Sequence, residues 1–526
     1  MTDAVVIGAG HNGLVAGCLL ADAGWDVEVV EAMPHPGGAV RSDRSLHPDF
    51  VTDLFSAFYP LAVASPILAS LDLERHGLHW THAPEVLAHV LPDDRVATLS
   101  RNLDTTAASL DAFAAGDGAA WRAMFEQYCA IREPLIRALF RPFPPVRPGV
   151  ALLRRLGAAD ALRFARFAVT PVRRAGDERF AGEGATLLLA GNALHTDLPP
   201  EGAGSALFGW LLAMVGQDIG FPVPVGGSGM IIEALVSRLA AAGGRLRLDA
   251  PVERIIVEGG AARGVRLASG EMIRAGRAVL ADVGAPELYR DLVGFANLPP
   301  RVESDLRSFQ WDAPTLKVNW ALSGPIPWIA AEVGGSGTVH LGVDLDGLTN
   351  YAASLATKQI PQQPFLLLGQ MTAADPTRSP PDTESAWAYT HLPDKRPLSE
   401  AEIVAHVERM QRTIERHAPG FGDRVIARSV QSPLDLQAAN PNLVGGAVNG
   451  GTAAIYQQLV FRPLPGLARS ETPVDRLYLA GASAHPGGGV HGGPGANAAR
   501  AALARDRVVG RVRNAGTRAL LRRIYR

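Results

Sequence analysis

The sequence predicts an α/β fold in which one discontinuous domain is interleaved with a second, α+β domain. Three glycine-rich turns carry this prediction, at 8–13, 226–229 and 481–495, because each follows an apolar strand pattern and precedes a helical one. A strand, a glycine turn and a helix in this order are typical of nucleotide-binding α/β domains. Between the turns, 85–220 is mostly helical in pattern, and 301–470 mixes strands with proline-rich loops.

The composition excludes several classes of protein. The chain has 526 residues, of which 47% are hydrophobic and 19% charged, so it is typical of globular proteins and long enough for several domains. The 50 Lys and Arg residues are balanced by 52 Asp and Glu residues, so the basic excess that nucleic-acid binding requires is missing and no such partner is expected. The two cysteines, Cys18 and Cys129, form no CxxC pair, which argues against a disulfide framework or a thiolate metal site.

The cellular location is predicted from features that the sequence lacks. The N-terminus runs directly into an apolar strand pattern, without the basic segment of a signal peptide. The longest strongly apolar run, Ala203–Gly216, is shorter than the about 20 residues of a membrane-spanning helix. We therefore expect a cytoplasmic protein. The amphipathic, arginine-rich segment 150–174 has two interpretations, since it either packs against the rest of the protein or contacts a membrane surface peripherally.

The first glycine turn has the spacing GxGxxG and follows the apolar strand Ala4–Ile7. In a Rossmann-like domain each glycine of this motif has its own steric role. Gly8 permits the tight turn, Gly10 allows a pyrophosphate to approach the backbone, and Gly13 lets the helix pack closely on the strand. The amides at the start of that helix then face the phosphates. The motif therefore predicts a dinucleotide site.

An acidic residue and a second glycine turn indicate which dinucleotide is bound. Glu31 ends the second strand, Val27–Val30, at the position where a carboxylate binds the ribose hydroxyls. A carboxylate there disfavours the phosphate of NADP and leaves FAD and NAD open. The pair Gly37–Gly38 favours FAD, because a second turn facing the diphosphate is more typical of flavoproteins.

The remaining elements of this domain follow later in the chain. A helix is predicted from Met230 to Ala242, and 245–282 alternates as strands that form a meander and return as a parallel strand. A last strand at 476–480 leads into the glycine-rich loop and then into a helix from about Ala496. Amides and the helix dipole at that point favour negative charge.

Three parts of the chain carry a resemblance to a known family. They are the glycine motif at 8–13, residues 222–229, and the block Tyr478–Val490, which reads YLAGASAHPGGGV. Together they resemble the FAD-dependent phytoene desaturase and carotenoid isomerase-like oxidoreductases, and most closely the branch of the pyridine nucleotide-disulfide oxidoreductase domain-containing protein 2. The resemblance extends over nearly the whole chain.

This resemblance implies a flavoprotein of the GR2 type with two domains. A discontinuous FAD-binding domain would comprise 1–84, 222–300 and 471–526, and a substrate-binding domain with a helical portion would comprise 85–221 and 301–470. The resemblance assigns the pyrophosphate, the ribose, the second turn, the adenine and the flavin end of FAD to the following residues, in this order: Gly8, Gly10 and Gly13; Glu31; Gly38 and Arg41; Val252; and Gly481, Gly489 and Val490.

The chemistry that the resemblance implies is desaturation, saturation or cis-trans isomerisation of carbon-carbon bonds in a lipophilic substrate, a polyene or an acyl compound. A hydride would pass between a substrate carbon and the flavin N5. Disulfide reduction is not expected, because the chain lacks a redox dithiol. Two alternatives stay open: a flavin amine or porphyrinogen-type oxidase, and an FAD-binding interaction protein whose catalysis has lapsed. The sequence has no feature that sets an oligomeric state.

Two side chains are candidates for catalysis. His485 lies in the C-terminal glycine loop and would titrate near neutral pH, although it would equally suit a turn in which it bonds the backbone. Lys317, one of three lysines in the chain, lies in an apolar strand pattern and would act as a compact amine or reach solvent. His82, His89 and His195 lack the spacing of metal ligands, and no metal is expected.

Overall fold

A computed structural model describes residues 2–394, 396–466, 468–506 and 508–526. The strands, β1 to β18 in chain order, are Thr2–Ile7, Val27–Val30, Ser42–Asp43, Thr52–Asp53, Trp80–Thr81, Glu85–Val90, Val96–Leu99, Val223–Pro224, Arg245–Arg247, Val252–Glu258, Ala261–Leu267, Met272–Ala281, Thr315–Leu322, Ser336–Leu341, Leu366–Gln370, Glu384–His391, Val425–Gln431 and Leu477–Leu479. The α-helices, α1 to α17 in chain order, are His11–Asp22, Pro60–Ala64, Pro66–Ala69, Leu103–Asp111, Asp117–Leu139, Val146–Val169, Val172–Asp177, Glu183–Ala193, Ser205–Ile219, Gly229–Ala241, Pro300–Arg307, Leu345–Ala356, Met371–Ala374, Glu400–His417, Pro433–Ala439, Gly493–Asp506 and Val508–Ile524.

The first large sheet has the strand order β10-β11-β12-β1-β2-β9, with β18 also paired to β12. The pairs β12/β1, β1/β2, β2/β9 and β12/β18 are parallel, whereas β10, β11 and β12 form an antiparallel meander. The predicted meander with a returning parallel strand is therefore present.

The parallel strands of this sheet end at one edge. Ile7, Val30, Ala281 and Leu479 are the last residues of four parallel strands, so the segments that follow them meet there. This edge is where an open α/β sheet binds its ligands. Helices cover the sheet through buried apolar faces, and nine of the twelve residues of α1 are buried.

The second large sheet has the order β17-β13-β16-β15-β14-β6-β7. Its central strands are almost completely buried: all eight residues of β13 and all six of β14 are enclosed. Polar and apolar residues still alternate from 315 to 320 in this strand. Leu316, Val318 and Trp320 face an apolar cluster. The polar side chains on the opposite face of β13 are therefore also enclosed.

Residues 85–99 differ from the mostly helical pattern expected for 85–220. Glu85–Val90 and Val96–Leu99 are an antiparallel pair of strands at one edge of the second sheet. Five of the six residues of β6 are buried, so its sequence shows no alternation. A short buried strand cannot be distinguished from a buried helix by periodicity, and the prediction was wrong here. From Leu103 to Ile219 the segment is helical, as predicted.

The helical layer consists of α4 to α9. The helix α6 contains a kink at Gly157, whose φ of 72° lies outside helical geometry. Within the described ranges, no helix combines the length and the apolar character that a membrane span needs. The predicted domain boundaries stay a prediction, although the first sheet draws its strands from 2–30, 245–281 and 477–479 and the second from 85–99 and 315–431.

Candidate functional site

A cavity of about 360 Å³ lies at the edge where the parallel strands end. One side is formed by the glycine turns and by Asp282, the residue that follows β12. The other side is formed by residues of the second sheet and by aromatic side chains. The lining includes Gly10, Gly38, Asp282 and Gly489 on the first side, and Lys317 and Trp387 on the second.

The first glycine turn is so tightly packed that side chains cannot be accommodated. A Cβ atom on Gly13 would lie 2.0 Å from the carbonyl oxygen of Gly8, and one on Gly10 would lie 2.7 Å from Oδ2 of Asp282. Gly8 has a φ of 91°, a conformation that glycine adopts without strain. Close backbone packing of this kind is what a pyrophosphate turn requires. Gly10 lines the cavity with its neighbours His11 and Asn12, whereas Gly8 and Gly13 lie behind the lining.

Glu31 lies where the second parallel strand ends, and its side chain is held by the backbone. Oε2 accepts a hydrogen bond from the amide of Ala9 at 2.7 Å, and Oε1 accepts one from the amide of Met33 at 3.0 Å. Each carboxylate oxygen has a further lone pair, so the group can still accept hydrogen bonds from a ribose diol.

The second glycine turn lies directly beside the first. The amide of Gly37 donates to the carbonyl of Ala9 at 2.9 Å, and Gly38 lines the cavity with a φ of 56°. Arg41 does not line the cavity; it donates to His35 and its guanidinium lies 5.3 Å from the ring centroid of Phe55.

Asp282 was missed by the sequence analysis. It follows β12, and its Oδ2 accepts a hydrogen bond from the amide of Gly13 at 2.8 Å. Burial raises its pKa to about 7, and the charge of Glu31 also raises it. A carboxyl that keeps its proton near neutral pH repels a pyrophosphate less than an ionised one would. The signal was an acidic residue at the end of an apolar strand, the same position that identified Glu31.

The C-terminal glycine loop reaches back to the first turn. His11 lines the cavity, and its Nε2 lies 3.2 Å from the carbonyl oxygen of Gly489. Gly489 and Val490 also line the cavity. Gly481 lies behind the lining, where a Cβ atom would come within 2.4 Å of the carbonyl oxygen of Val283.

A second loop, residues 448–452, is clamped between two buried charged side chains. The carboxylate of Asp312 accepts hydrogen bonds from the amides of Val448, Asn449 and Gly451 at 2.7 to 3.1 Å. The guanidinium of Arg462 donates to the carbonyls of residues 449–452 and of Ala482, at 2.8 to 3.5 Å. The clamp joins the loop to the segment after β18, and both line the cavity.

Unpartnered polar atoms support the binding of a polar cofactor at this edge. The side-chain Nδ2 of Asn449 and Oδ1 of Asn12 are enclosed and have no hydrogen-bond partner among the described residues. Both residues line the cavity. Because buried polar atoms are normally satisfied, the two side chains fit a bound group with several oxygen and nitrogen atoms.

Val252 and His485 lie away from the cavity lining. Val252 begins β10 and pairs with Leu267, two residues after Ala250, whose amide donates to the carbonyl of Glu31. His485 is buried, and burial lowers its pKa to about 4, so its ring is neutral at physiological pH. Of the two catalytic candidates, Lys317 lines the cavity, whereas His485 lies in the C-terminal glycine loop outside the lining.

Lys317 is a buried amine in the cavity wall. It is only 3% exposed, and its Nζ donates to the carbonyl of Asp53 and, at 2.7 Å, to Oδ1 of Asn319. Nζ also lies 5.7 Å from the ring centroid of Trp387. Burial lowers its pKa to about 7. The side chain does not reach solvent, which was the alternative interpretation of its sequence position.

The chain matches a family model and relatives over most of its length. The model of the flavin containing amine oxidoreductases matches residues 13–503. The pyridine nucleotide-disulfide oxidoreductase domain-containing protein 2 of Mus musculus is 28% identical over 94% of this chain and 92% of its own. A neurosporene-forming phytoene desaturase of Cereibacter sphaeroides is 26% identical over 96% of this chain and 94% of its own.

A solved structure shows the same fold. The crystal structure of an oxidoreductase from Methanosarcina mazei superimposes with a TM-score of 0.63 and 18% sequence identity. The match covers 95% of this chain and 99% of the other. The predicted α/β fold of the GR2 flavoprotein type is confirmed.

Proposed function

Because this chain belongs to the flavin-containing amine oxidoreductase family and is an FAD-dependent oxidoreductase, we propose that it acts on carbon-carbon bonds of a lipophilic substrate. The reaction would be desaturation, saturation or cis-trans isomerisation of a polyene or an acyl compound. FAD, when bound, supplies the group that accepts or returns a hydride. The protein's part is to bind, orient and shield the reacting carbon atoms.

The observation that carries this proposal is the apolar wall of the cavity. The side of the cavity opposite the glycine turns, here called the substrate side, is formed largely by aromatic and aliphatic side chains: Phe58, Leu61, Leu212, Phe221, Trp387 and Tyr389. Burial of apolar surface drives the binding of a lipophilic molecule in such a cavity. The similarity to the neurosporene-forming phytoene desaturase of Cereibacter sphaeroides supports a substrate of this class.

For the cofactor, we propose the residues that the sequence assigned. Gly8, Gly10 and Gly13 would hold the pyrophosphate, Glu31 the ribose, and Val252 the adenine. Gly38 and Arg41 would support the second turn, and Gly481, Gly489 and Val490 the flavin end. The tight packing of the first turn and the free lone pairs of Glu31 support this assignment. Of the assigned residues, Gly10, Gly38, Gly489 and Val490 line the cavity, and Asp282 and His11 line it beside them.

For catalysis, we propose that Lys317 holds or exchanges a proton at Nζ beside the substrate. With a pKa of about 7, both its charged and its neutral form are populated near neutral pH. His485 lies behind the lining and would act only by supporting the C-terminal loop. Disulfide reduction is not proposed, since Cys18 is buried, Cys129 is exposed and both are free.

Amine oxidation is the second candidate, because the matching family model is that of amine oxidoreductases. An amine substrate would use the same flavin. A third hypothesis is an FAD-binding interaction protein that does not turn over a substrate. The three hypotheses differ in which compound changes the oxidation state of the flavin.

The experiment is an anaerobic absorption spectrum of the FAD-loaded protein, mixed with polyenes, acyl lipids and primary amines in turn. We expect a lipophilic compound either to bleach the flavin directly or, after dithionite, to be reduced or isomerised. Lys317→Met should lower the rate about 100- to 10,000-fold while the flavin stays bound. Bleaching by an amine alone would contradict the proposal in favour of amine oxidation. A flavin that no compound turns over would support the interaction protein.

A further inference from the structure

Three histidines that are distant in the sequence meet at the wall of the cavity, and one of them, His195, lines it. His195 follows α8, His340 lies in β14 and His89 in β6. Nε2 of His195 lies 2.9 Å from Nε2 of His340, and the rings of His89 and His340 are 5.7 Å apart. Among the described residues, the structure contains no group of three such side chains placed to hold a metal ion. The pair His195 and His340 therefore needs a different explanation.

The surroundings of His340 determine which of the two rings donates. Nδ1 of His340 is enclosed and has no hydrogen-bond partner within the described ranges. The ring is packed against Gly191, where a Cβ atom would lie 2.1 Å from this nitrogen. Buried N–H groups are rarely left unpaired, so Nδ1 carries its lone pair and the proton lies on Nε2. His340 therefore donates its Nε2–H to Nε2 of His195.

Because Nε2 of His195 accepts this hydrogen bond, the proton of the His195 ring must lie on Nδ1. Burial lowers the pKa of His195 to about 3 and that of His340 well below its usual value, so both rings are neutral at physiological pH. With Nε2 acting as the acceptor, the single proton of His195 is on Nδ1. His195 is only partly buried, and it lines the cavity together with Phe221 and Thr338.

We propose that His195 presents its Nδ1–H to the substrate and that the substrate is an oxygenated lipophile with a carbonyl or hydroxyl oxygen at this point. This inference rests on the proposed function and narrows its substrate class. A hydrocarbon would cover the donor without satisfying it, and a site built around a polar group discriminates strongly against a ligand that lacks the partner. His195 is a binding residue in this proposal and His340 a positioning residue.

The test compares two ligands with the same polyene chain, retinal and its hydrocarbon counterpart axerophtene. Binding to the FAD-loaded protein is followed by quenching of tryptophan fluorescence, since Trp387 lines the cavity. We expect retinal to bind about tenfold more tightly than axerophtene. His195→Phe should remove this difference, whereas His195→Asn, which keeps an N–H donor, should retain part of it. His82→Phe is the matched control, because His82 bonds the carbonyl of Ile219 and does not line the cavity.

Equal binding of the two ligands to the parent protein, or an unchanged difference in His195→Phe, would overturn the inference and leave the proposed function intact. Failure of both ligands to bind would count against the proposed polyene substrate. A measurement without ligand then decides the inference separately. Nitrogen NMR of protein labelled at histidine should show the proton of His195 on Nδ1, and a proton on Nε2 would overturn the inference.

Discussion

At the scale of single residues, Lys317 shows how the fold sets the chemistry of one side chain. The strand β13 is completely buried, so an amine placed on it loses its hydration. Two neutral oxygens, one from Asp53 and one from Asn319, replace the water. Burial lowers the pKa of Lys317 to about 7, although the nearby charges of Asp53 and Asp43 raise it in part. The same contacts hold Nζ at a fixed place beside Trp387.

A depressed lysine pKa has a consequence for stability. The unfolded chain binds this proton below about pH 10, whereas the folded protein binds it only near and below pH 7. The folded state therefore loses stability as the pH falls from about 10 to 7. Lys317→Met removes this dependence. We expect the Tm of the variant minus the Tm of the parent to increase over this range as the pH is lowered.

The measurement is a series of thermal unfolding curves from pH 6 to pH 10. The slope with pH is the readout, because the absolute Tm also includes the loss of two hydrogen bonds. Lys358→Met is the control, since Lys358 is exposed and pairs with Asp394 at the surface. A difference between parent and Lys317→Met that stays constant with pH would show that Lys317 keeps an ordinary pKa.

At the scale of elements, the clamp on residues 448–452 explains how an irregular loop keeps its shape. Its amides bond Asp312 and its carbonyls bond Arg462, so both kinds of backbone group are satisfied by a side chain. Burial lowers the pKa of Arg462 to about 10, which leaves the guanidinium charged at physiological pH. The loop then forms a stable part of the cavity wall.

Replacing the guanidinium should open this clamp. We expect Arg462→Met to destabilise the protein by about 3 to 5 kcal/mol, because it leaves the carbonyls of residues 449–452 and of Ala482 without their donor. FAD should also be retained less well, since Asn449 and Gly450 line the cavity. Thermal unfolding and the flavin content after gel filtration test this.

Arg307→Met serves as the control for the clamp. Arg307 is 74% exposed and pairs with Glu303 one helical turn away, so its loss should cost no more than about 0.5 kcal/mol. If both variants lost stability and flavin equally, the clamp would not hold the loop.

The elements also show what the sequence could and could not predict. The strand, turn and helix at the N-terminus were predictable, because glycine spacing and apolar runs are local signals. The strands at 85–99 were not, since five of the six residues of Glu85–Val90 are buried and its sequence does not alternate. Tertiary contacts bring His195 to His340 and Arg462 to residues 449–452. The spacing of these residues along the sequence does not indicate such contacts. Asp282 could have been found from its place after a strand.

At the scale of the whole molecule, α6 joins an exposed surface to the cavity wall. Val146, Leu153 and Leu162 on this helix are 66%, 51% and 74% exposed, among exposed arginines. On its other side, Phe164 packs against Trp210 of α9, with ring centroids 5.5 Å apart. Another residue of α9, Leu212, lines the cavity. We propose that this surface of α6 contacts a membrane peripherally, next to the site where a lipophilic substrate binds.

The membrane proposal predicts binding to lipid vesicles. We expect the protein to sediment with vesicles that contain about one third phosphatidylglycerol, and Leu153→Glu combined with Leu162→Glu to reduce this binding at least tenfold, because charged side chains resist burial in the acyl region. Met272→Glu is the control, since Met272 is a 59% exposed apolar residue on β12 of the first large sheet, away from α6 in the fold. Equal sedimentation of all three proteins, or none by the parent, would contradict the proposal.

The order of strands in the first sheet also bears on how the protein is made. β1 pairs with β12, which in turn pairs with β18, so strands from both ends and the middle of the chain must meet in one sheet. A ribosome that adds about 5 to 20 residues per second needs roughly half a minute to a minute and a half between β1 and β18. In the later part of that time, after β12 has been made, β12 lacks its neighbour β18, and the C-terminal glycine loop does not yet exist. The flavin pocket is therefore completed only after synthesis of the last strand, and loading of the cofactor must follow release of nearly the whole chain.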